Sequence, residues 1–248
     1  MTETKIEWTE ATWNPVTGCS KVSEGCAHCY AERMATRLQA MGVANYRDGF
    51  AVRTHESALD LPTTWRKPRM IFVNSMSDLF HEEIPVEFLK RVFDVMRRTP
   101  RHTFQILTKR ADRLLELDRS GALDWRPNVW MGVTVESAKR LDRIERLRST
   151  GAALKFVSFE PLLGPLGDVD LRGIDWAIVG GESGPGARPM ERDWAASIRD
   201  LCVKQNVKFF FKQWGGPIKK RNGRLLDGRT WDEFPDVVRA DAERSFWR

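Results

Sequence analysis

Cysteine is scarce in this chain, 4 in 248 residues, too few for a disulfide scaffold. No apolar run approaches the ~20 residues that a helix needs to cross a bilayer. The opening Met1–Glu10 is too polar for an export signal. An internal repeat is absent as well, which excludes a solenoid. Charge of one sign does not dominate: 40 bases face 34 acids for a net charge of +6, a balance that permits contact with nucleic acid without demanding it. These absences leave a soluble cytoplasmic protein with reduced thiols and no membrane contact as the expectation.

What is present is concentrated near the start. Cys19, Cys26 and Cys29 crowd into Gly18-Cys19-Ser-Lys-Val-Ser-Glu-Gly25-Cys26-Ala-His28-Cys29-Tyr30. Two thiols separated by two residues can clamp one metal centre, and the third can fold back onto it. Zinc accepts three cysteines and a histidine, and His28 lies inside the segment. A [4Fe–4S] cluster normally takes four thiolates, so a set of three leaves one iron open to a small molecule. Both centres stay open on spacing alone. Cys202 falls on the stripe Trp194, Ile198, Leu201, Cys202 and reads as a core residue.

Strand-length apolar runs recur along the chain: 71–74, 103–107, 129–133, 155–159, 176–179 and 207–211, with a short strand expected near 12–14. Helical patterns lie between them. Pro85 opens one that carries Val86, Leu89, Val92, Phe93 and Met96, residues 138–148 form another, and Asp193 is expected to cap a third. Alternating strands and helices imply right-handed crossovers and a parallel sheet. Polar residues end nearly every strand, which favours an α/β fold built as a partial (β/α) barrel with its site on the C-terminal rim. The barrel is expected over 1–213, with the cysteine loop at 14–31 after the first strand and an insertion at about 42–69. Residues 214–248 form an extension packed on it.

A cysteine loop placed in this way resembles that of the radical S-adenosylmethionine superfamily, and several segments are similar to its spore photoproduct lyase-like branch. They are Asn14-Pro15…Gly18-Cys19…Cys26-Ala-His28-Cys29-Tyr30-Ala31, Ser77-Asp78-Leu79-Phe80-His81, Ile106-Leu107-Thr108-Lys109 and Phe159-Glu160-Pro161-Leu162-Leu163. The whole chain also resembles a phage-associated family of unassigned reaction. Three departures stand out. Six residues separate the first two cysteines where that branch usually has three, His28 replaces an aromatic, and no Gly-Gly-Glu follows the second strand.

The resemblance implies that Cys19, Cys26 and Cys29 hold a [4Fe–4S] cluster whose open iron binds S-adenosyl-L-methionine. Reductive cleavage would then give a 5′-deoxyadenosyl radical that modifies or repairs a substrate, with a reducing electron donor as partner. Asn74, Ser75, Ser77 and Asp78 would stand where the methionine amine is held, Thr134 and Glu136 would meet the ribose, and Ser158 and Glu160 would complete the cofactor contacts. Lys109, Gly181, Glu182, Arg188 and Trp214 are the substrate candidates, cations, close backbone and a stacking ring that suit a nucleic acid or nucleotide. No residue is singled out as catalytic. The competing reading is a non-enzymatic zinc protein that binds nucleic acid.

Overall fold

The structure is a computed structural model that describes residues 4, 6–218 and 221–236. Lys219, Lys220 and residues 237–248, all in the expected extension, lie outside the described residues.

The strands are β1 (Ala11–Trp13), β2 (Val16–Thr17), β3 (Arg53–Thr54), β4 (Met70–Val73), β5 (Thr103–Thr108), β6 (Val129–Thr134), β7 (Leu154–Phe159), β8 (Trp176–Gly180) and β9 (Lys208–Gln213). The helices are α1 (Tyr30–Ala40), α2 (Glu56–Leu59), α3 (Val86–Arg98), α4 (Ala111–Arg119), α5 (Asp142–Arg148) and α6 (Arg192–Gln205). Seven strands make one sheet in the order β1-β4-β5-β6-β7-β8-β9, with every pair parallel. This is the partial (β/α) barrel expected. The antiparallel pair β2/β3 ties the cysteine loop to the 42–69 segment.

Period-two alternation sorts the strand residues onto two faces. Ile71, Phe104, Met131, Val157, Ala177 and Phe209 belong to the cluster that also takes the apolar faces of α3 and α6, including Leu89, Val92, Ile198 and Cys202. On the other face, Trp130, Phe156, Trp176, Ile178 and Phe210 gather with Trp8 and, from outside the barrel strands, Ile6 and Phe234. Trp176 sits at the middle, with ring centroids of Trp8, Trp130, Phe156, Phe210 and Phe234 all 5.0–6.2 Å away. These rings fill the N-terminal half of the concave face. Nearer the C-terminal ends the same face carries smaller or polar residues: Asn74, Gly132, Thr134, Ser158 and Gly180.

Two helix expectations need correction. Asp193 does not cap: α6 begins at Arg192 after Glu191, and the Asp193 carboxylate pairs with Arg192. It still lies in the first turn, where the helix dipole favours an acid. Residues 138–148 are not one helix but a 3₁₀ turn (Ala138–Arg140) followed by α5, because Ser137 and Arg140 are drawn to Glu24 of the cysteine loop. Beyond β9 the chain returns along that strand. Phe211 N–H donates to the Trp231 carbonyl, Glu233 N–H donates to the Phe209 carbonyl, and Leu226 enters the core.

Candidate functional site

The loop of 14–29 begins where β1 ends. Asn14 Oδ1 accepts from Ser75 Oγ and Met76 N, both at 3.2 Å, and Ser77 Oγ donates to the Val16 carbonyl at 3.0 Å. Gly18 then turns at φ +81°, and a Cβ there would stand 2.0 Å from the Ala51 carbonyl oxygen. Only glycine fits both constraints. Cys19 follows, Cys26 closes a 3₁₀ turn (Glu24–Cys26), and Cys29 immediately precedes α1. All of these thiols are free and partly exposed, whereas Cys202 is fully buried, as its stripe implied.

Charged side chains from successive strand ends grip this loop. Arg110, just after β5, is 8% exposed, donates Nη2–H to Ser20 Oγ (2.9 Å) and the Ser20 carbonyl, and lies 4.0 Å from Cys19 Sγ. Its other nitrogen pairs with Glu82. His81 Nε2 lies 2.8 Å from the same Ser20 hydroxyl, while its Nδ1 accepts from Glu83 N–H. After β6, Glu136 is wholly buried: one oxygen accepts from Gly25 N–H (3.4 Å) and the other pairs with Arg143 at 2.8 Å. Removing either partner strands a buried charge, at a cost of ~3–5 kcal/mol. After β8, Glu182 meets His28 Nδ1 at 3.0 Å and takes Arg188 in a two-pronged pair, and Arg188 also donates to the Glu24 carbonyl at 3.0 Å.

These contacts perturb the acids and the first thiol. Burial first, then the Asp78 charge, pushes the Cys19 thiol up to about 11 against the pull of Arg110. For Glu182, burial alone would raise the value; hydrogen bonds from Arg188 and His28 hold it down to about 2. The Ser137 hydroxyl and Arg140 keep Glu24 at about 2.

The structure places Asp78, Glu136, Glu182 and Arg188 at the rim and occupies their polar atoms with the protein itself. Asp78 accepts from Thr108 Oγ1 (2.7 Å) and Lys109 N–H (3.0 Å), locking β4 to β5. Glu160 pairs with Lys212 at 2.7 Å. Gly181 is where two rim segments touch, since a Cβ would sit 1.9 Å from the Trp214 carbonyl oxygen. Trp214 itself donates to the Leu225 carbonyl and packs on Phe211. Asn74, Thr134, Ser158 and Lys109 remain with groups to offer. Asn74 holds the unusual φ of 60° and is 3% exposed. Its Oδ1 accepts from Val16 N–H, while its Nδ2 has no partner among the described residues.

Sequence reasoning missed Arg110, Arg143 and His81. Nothing in Thr108-Lys109-Arg110-Ala111 distinguishes Arg110 from an exposed residue ahead of a helix, and only its burial reveals it. Among the described residues no group of His, Cys, Asp and Glu side chains is gathered tightly enough to hold a single metal ion. The donor set nevertheless suits an iron–sulfur centre in kind: soft thiols on one loop, with a buried guanidinium beside the first sulfur and an unpartnered buried amide at the adjoining strand end.

Fold and site define an α/β partial-barrel protein with a cysteine loop held on its C-terminal rim. The chain matches the family described as protein of unknown function (DUF5131) over residues 3–235 and belongs to it. No curated protein matches. Two solved structures are similar: a spore photoproduct lyase double mutant with bound AdoMet and dinucleoside spore photoproduct (TM-score 0.46, 13% identity, covering 72% of this chain and 57% of that one), and spore photoproduct lyase complexed with dinucleoside spore photoproduct (TM-score 0.47, 12% identity, 82% and 63%). The chain therefore spans less than two thirds of either neighbour.

Proposed function

We propose that this protein is a radical S-adenosylmethionine-type iron–sulfur enzyme acting on a nucleic acid or nucleotide. The observation that carries the reading is the placement of Cys19, Cys26 and Cys29 on one loop directly after β1, held on the rim by side chains from the ends of β4, β5, β6 and β8. Such a cluster, when bound, supplies the electron that cleaves S-adenosylmethionine reductively.

The chain's own residues supply binding and orientation. Cys19, Cys26 and Cys29 would hold the irons, and Arg110 would offset the negative charge that collects there. Metal binding must displace the Cys19 proton, because burial keeps that thiol protonated at neutral pH. Asn74 would offer its open Nδ2–H to the methionine carboxylate, and Thr134 and Ser158 would line the concave face next to the adenosine. Asp78, Glu136 and Glu182 would act through the loop by fixing its position. Residues 214–236 pack on the barrel and belong with it rather than forming a separate domain. The reductant is an external electron donor, and the compartment we propose is the cytoplasm; no helix among the described residues is long and apolar enough to cross a membrane.

Anaerobic reconstitution followed by reduction tests the proposal. A brown protein that releases 5′-deoxyadenosine on reduction with S-adenosylmethionine supports it. A colourless protein carrying stoichiometric zinc overturns it in favour of a zinc protein.

A further inference from the structure

The rim charges do not all hold the cysteine loop by the same kind of group. Glu136 holds it through Gly25 N–H, Arg188 through the Glu24 carbonyl and Glu182 through the His28 ring. Arg110 reaches a thiol itself. Its place is fixed by the end of β5, where the Thr108 hydroxyl donates to Asp78 and accepts from Arg110 N–H at 2.9 Å. The side chain is buried, and a guanidinium does not shed its proton in a protein, so the enclosed charge is permanent. Nη1 donates to the Glu82 carboxylate at 2.7 Å. Nη2 donates to the Ser20 hydroxyl and carbonyl and lies 4.0 Å from Cys19 Sγ.

The two members of the Arg110–Glu82 pair sit in different surroundings. The Glu82 side chain is 62% exposed, so water screens its charge, while the guanidinium it faces is enclosed and acts at fuller strength on its neighbours. Asp78 is the acid that opposes Arg110 at Cys19. Its oxygens are spent on Thr108 Oγ1 and on the N–H groups of Phe80 and Lys109. Without Arg110, the charges of Asp78 and Glu82 would stand unopposed beside the first cysteine.

We infer that Arg110 sets the reduction potential of the iron–sulfur centre, acting through the Cys19 sulfur, with Glu82 as its counterweight. The inference rests on the reading of Cys19, Cys26 and Cys29 as cluster ligands. Reduction takes in one electron from an external low-potential one-electron donor, with no bond made or broken in the protein. It adds one negative charge to a centre that already carries thiolate charge. A fixed cation beside a ligating sulfur, with an N–H turned toward it, favours the reduced form. Net charge and hydrogen bonds to the sulfurs are the means by which a protein sets such potentials. Glu82 works against Arg110, weakly because it is exposed, so the two residues are expected to shift the potential in opposite directions.

The test uses the full chain reconstituted anaerobically, with iron per protein and melting temperature measured in every sample. Dye-mediated redox titration, followed by visible absorbance and by electron paramagnetic resonance of the reduced centre, gives the midpoint potential. Arg110→Gln is expected to make reduction about tenfold less favourable, the value of one charge-assisted contact, or about 59 mV downward for a one-electron couple. Arg110→Lys keeps the charge and should recover part of that shift. Glu82→Gln should move the midpoint upward by a smaller amount, with iron content unchanged. A residue that merely braced the loop would alter iron content and give no shifts of opposite sign. If Arg110→Gln cannot hold iron, Glu82→Gln decides alone: an upward shift supports the assignment and an unmoved midpoint overturns it. Variants with full iron whose midpoints equal the parent's, or move in the same direction, overturn the assignment and leave the iron–sulfur reading intact. A parent that takes up zinc and no iron overturns that reading, and the assignment with it.

Discussion

The two ends of the barrel are built on opposite principles. At the N-terminal end the concave face is packed with rings around Trp176, whose only polar atom there, Nε1–H, donates to the Glu233 carbonyl at 2.8 Å. At the C-terminal end the same strands finish in small residues, ion pairs and hydrogen bonds to a cysteine loop. Apolar burial is non-directional and tolerates small shifts, whereas charge-assisted hydrogen bonds fix distances. The lower end should therefore govern whether the chain folds and the upper end should govern what the folded chain can hold.

Replacing any one of Cys19, Cys26 or Cys29 with alanine is the sharpest way to separate the ends. Iron per protein after reconstitution should fall to background while the melting temperature moves little, because these thiols are partly exposed. Cys202→Ala should keep full iron content and cost ~1 kcal/mol or somewhat more of packing. Metal loss in that variant would break the division.

Trp176→Ala attacks the other end and should cost ~3–5 kcal/mol in denaturant unfolding. Iron bound per folded molecule should stay unchanged. A drop in that ratio would show that the aromatic floor also shapes the rim.

Acid should erode the rim selectively. Glu182 titrates at about 2 in the fold against an ordinary value near 4.5, so its contribution is complete above 4.5 and is lost as the pH falls toward 2. With allowance for solvent screening this amounts to ~1–3 kcal/mol. Glu182→Gln should flatten that part of the stability–pH curve, which equilibrium unfolding between pH 5 and 3 would detect. A curve of unchanged slope would assign the acid sensitivity elsewhere.

The smallest effect expected is at Asn74. Loss of its open amide in Asn74→Ala should weaken S-adenosylmethionine binding about tenfold, the value of one hydrogen bond to a charged group, with iron content unchanged. Equal affinity in calorimetry would place the cofactor's carboxylate away from β4.

Much of this division was legible in the sequence. The strands were visible because a sheet covered on one face and filled on the other makes nearly continuous apolar runs, as in Val129–Thr134, where every residue is buried. The cysteines were legible by spacing, and the rim acids by their position after strands. What each acid does was not legible. Glu136 finds Gly25 from 111 residues away, and Glu182 finds His28 from 154. Only the closure of the sheet makes those pairs, so a strand-end carboxylate looks the same in sequence whether it serves a ligand or the loop. The broken helix at 138–148 has the same origin, since its first turn is shaped by Glu24.

The return of the chain along β9 bears on self-association. A parallel sheet that stops short of closure leaves two outer strands with unsatisfied backbone groups, and such strands invite pairing between copies. One of them, β1, is only 3 residues long, too short to template much. The other, β9, is 6 residues with three consecutive phenylalanines at its centre, yet the segment around Trp231–Glu233 lies antiparallel beside it and takes up the Phe211 N–H and the Phe209 C=O. Covered in this way, β9 should be shielded from pairing with another copy. A chain truncated before Leu226 should keep its cysteine loop and still precipitate or pair through β9.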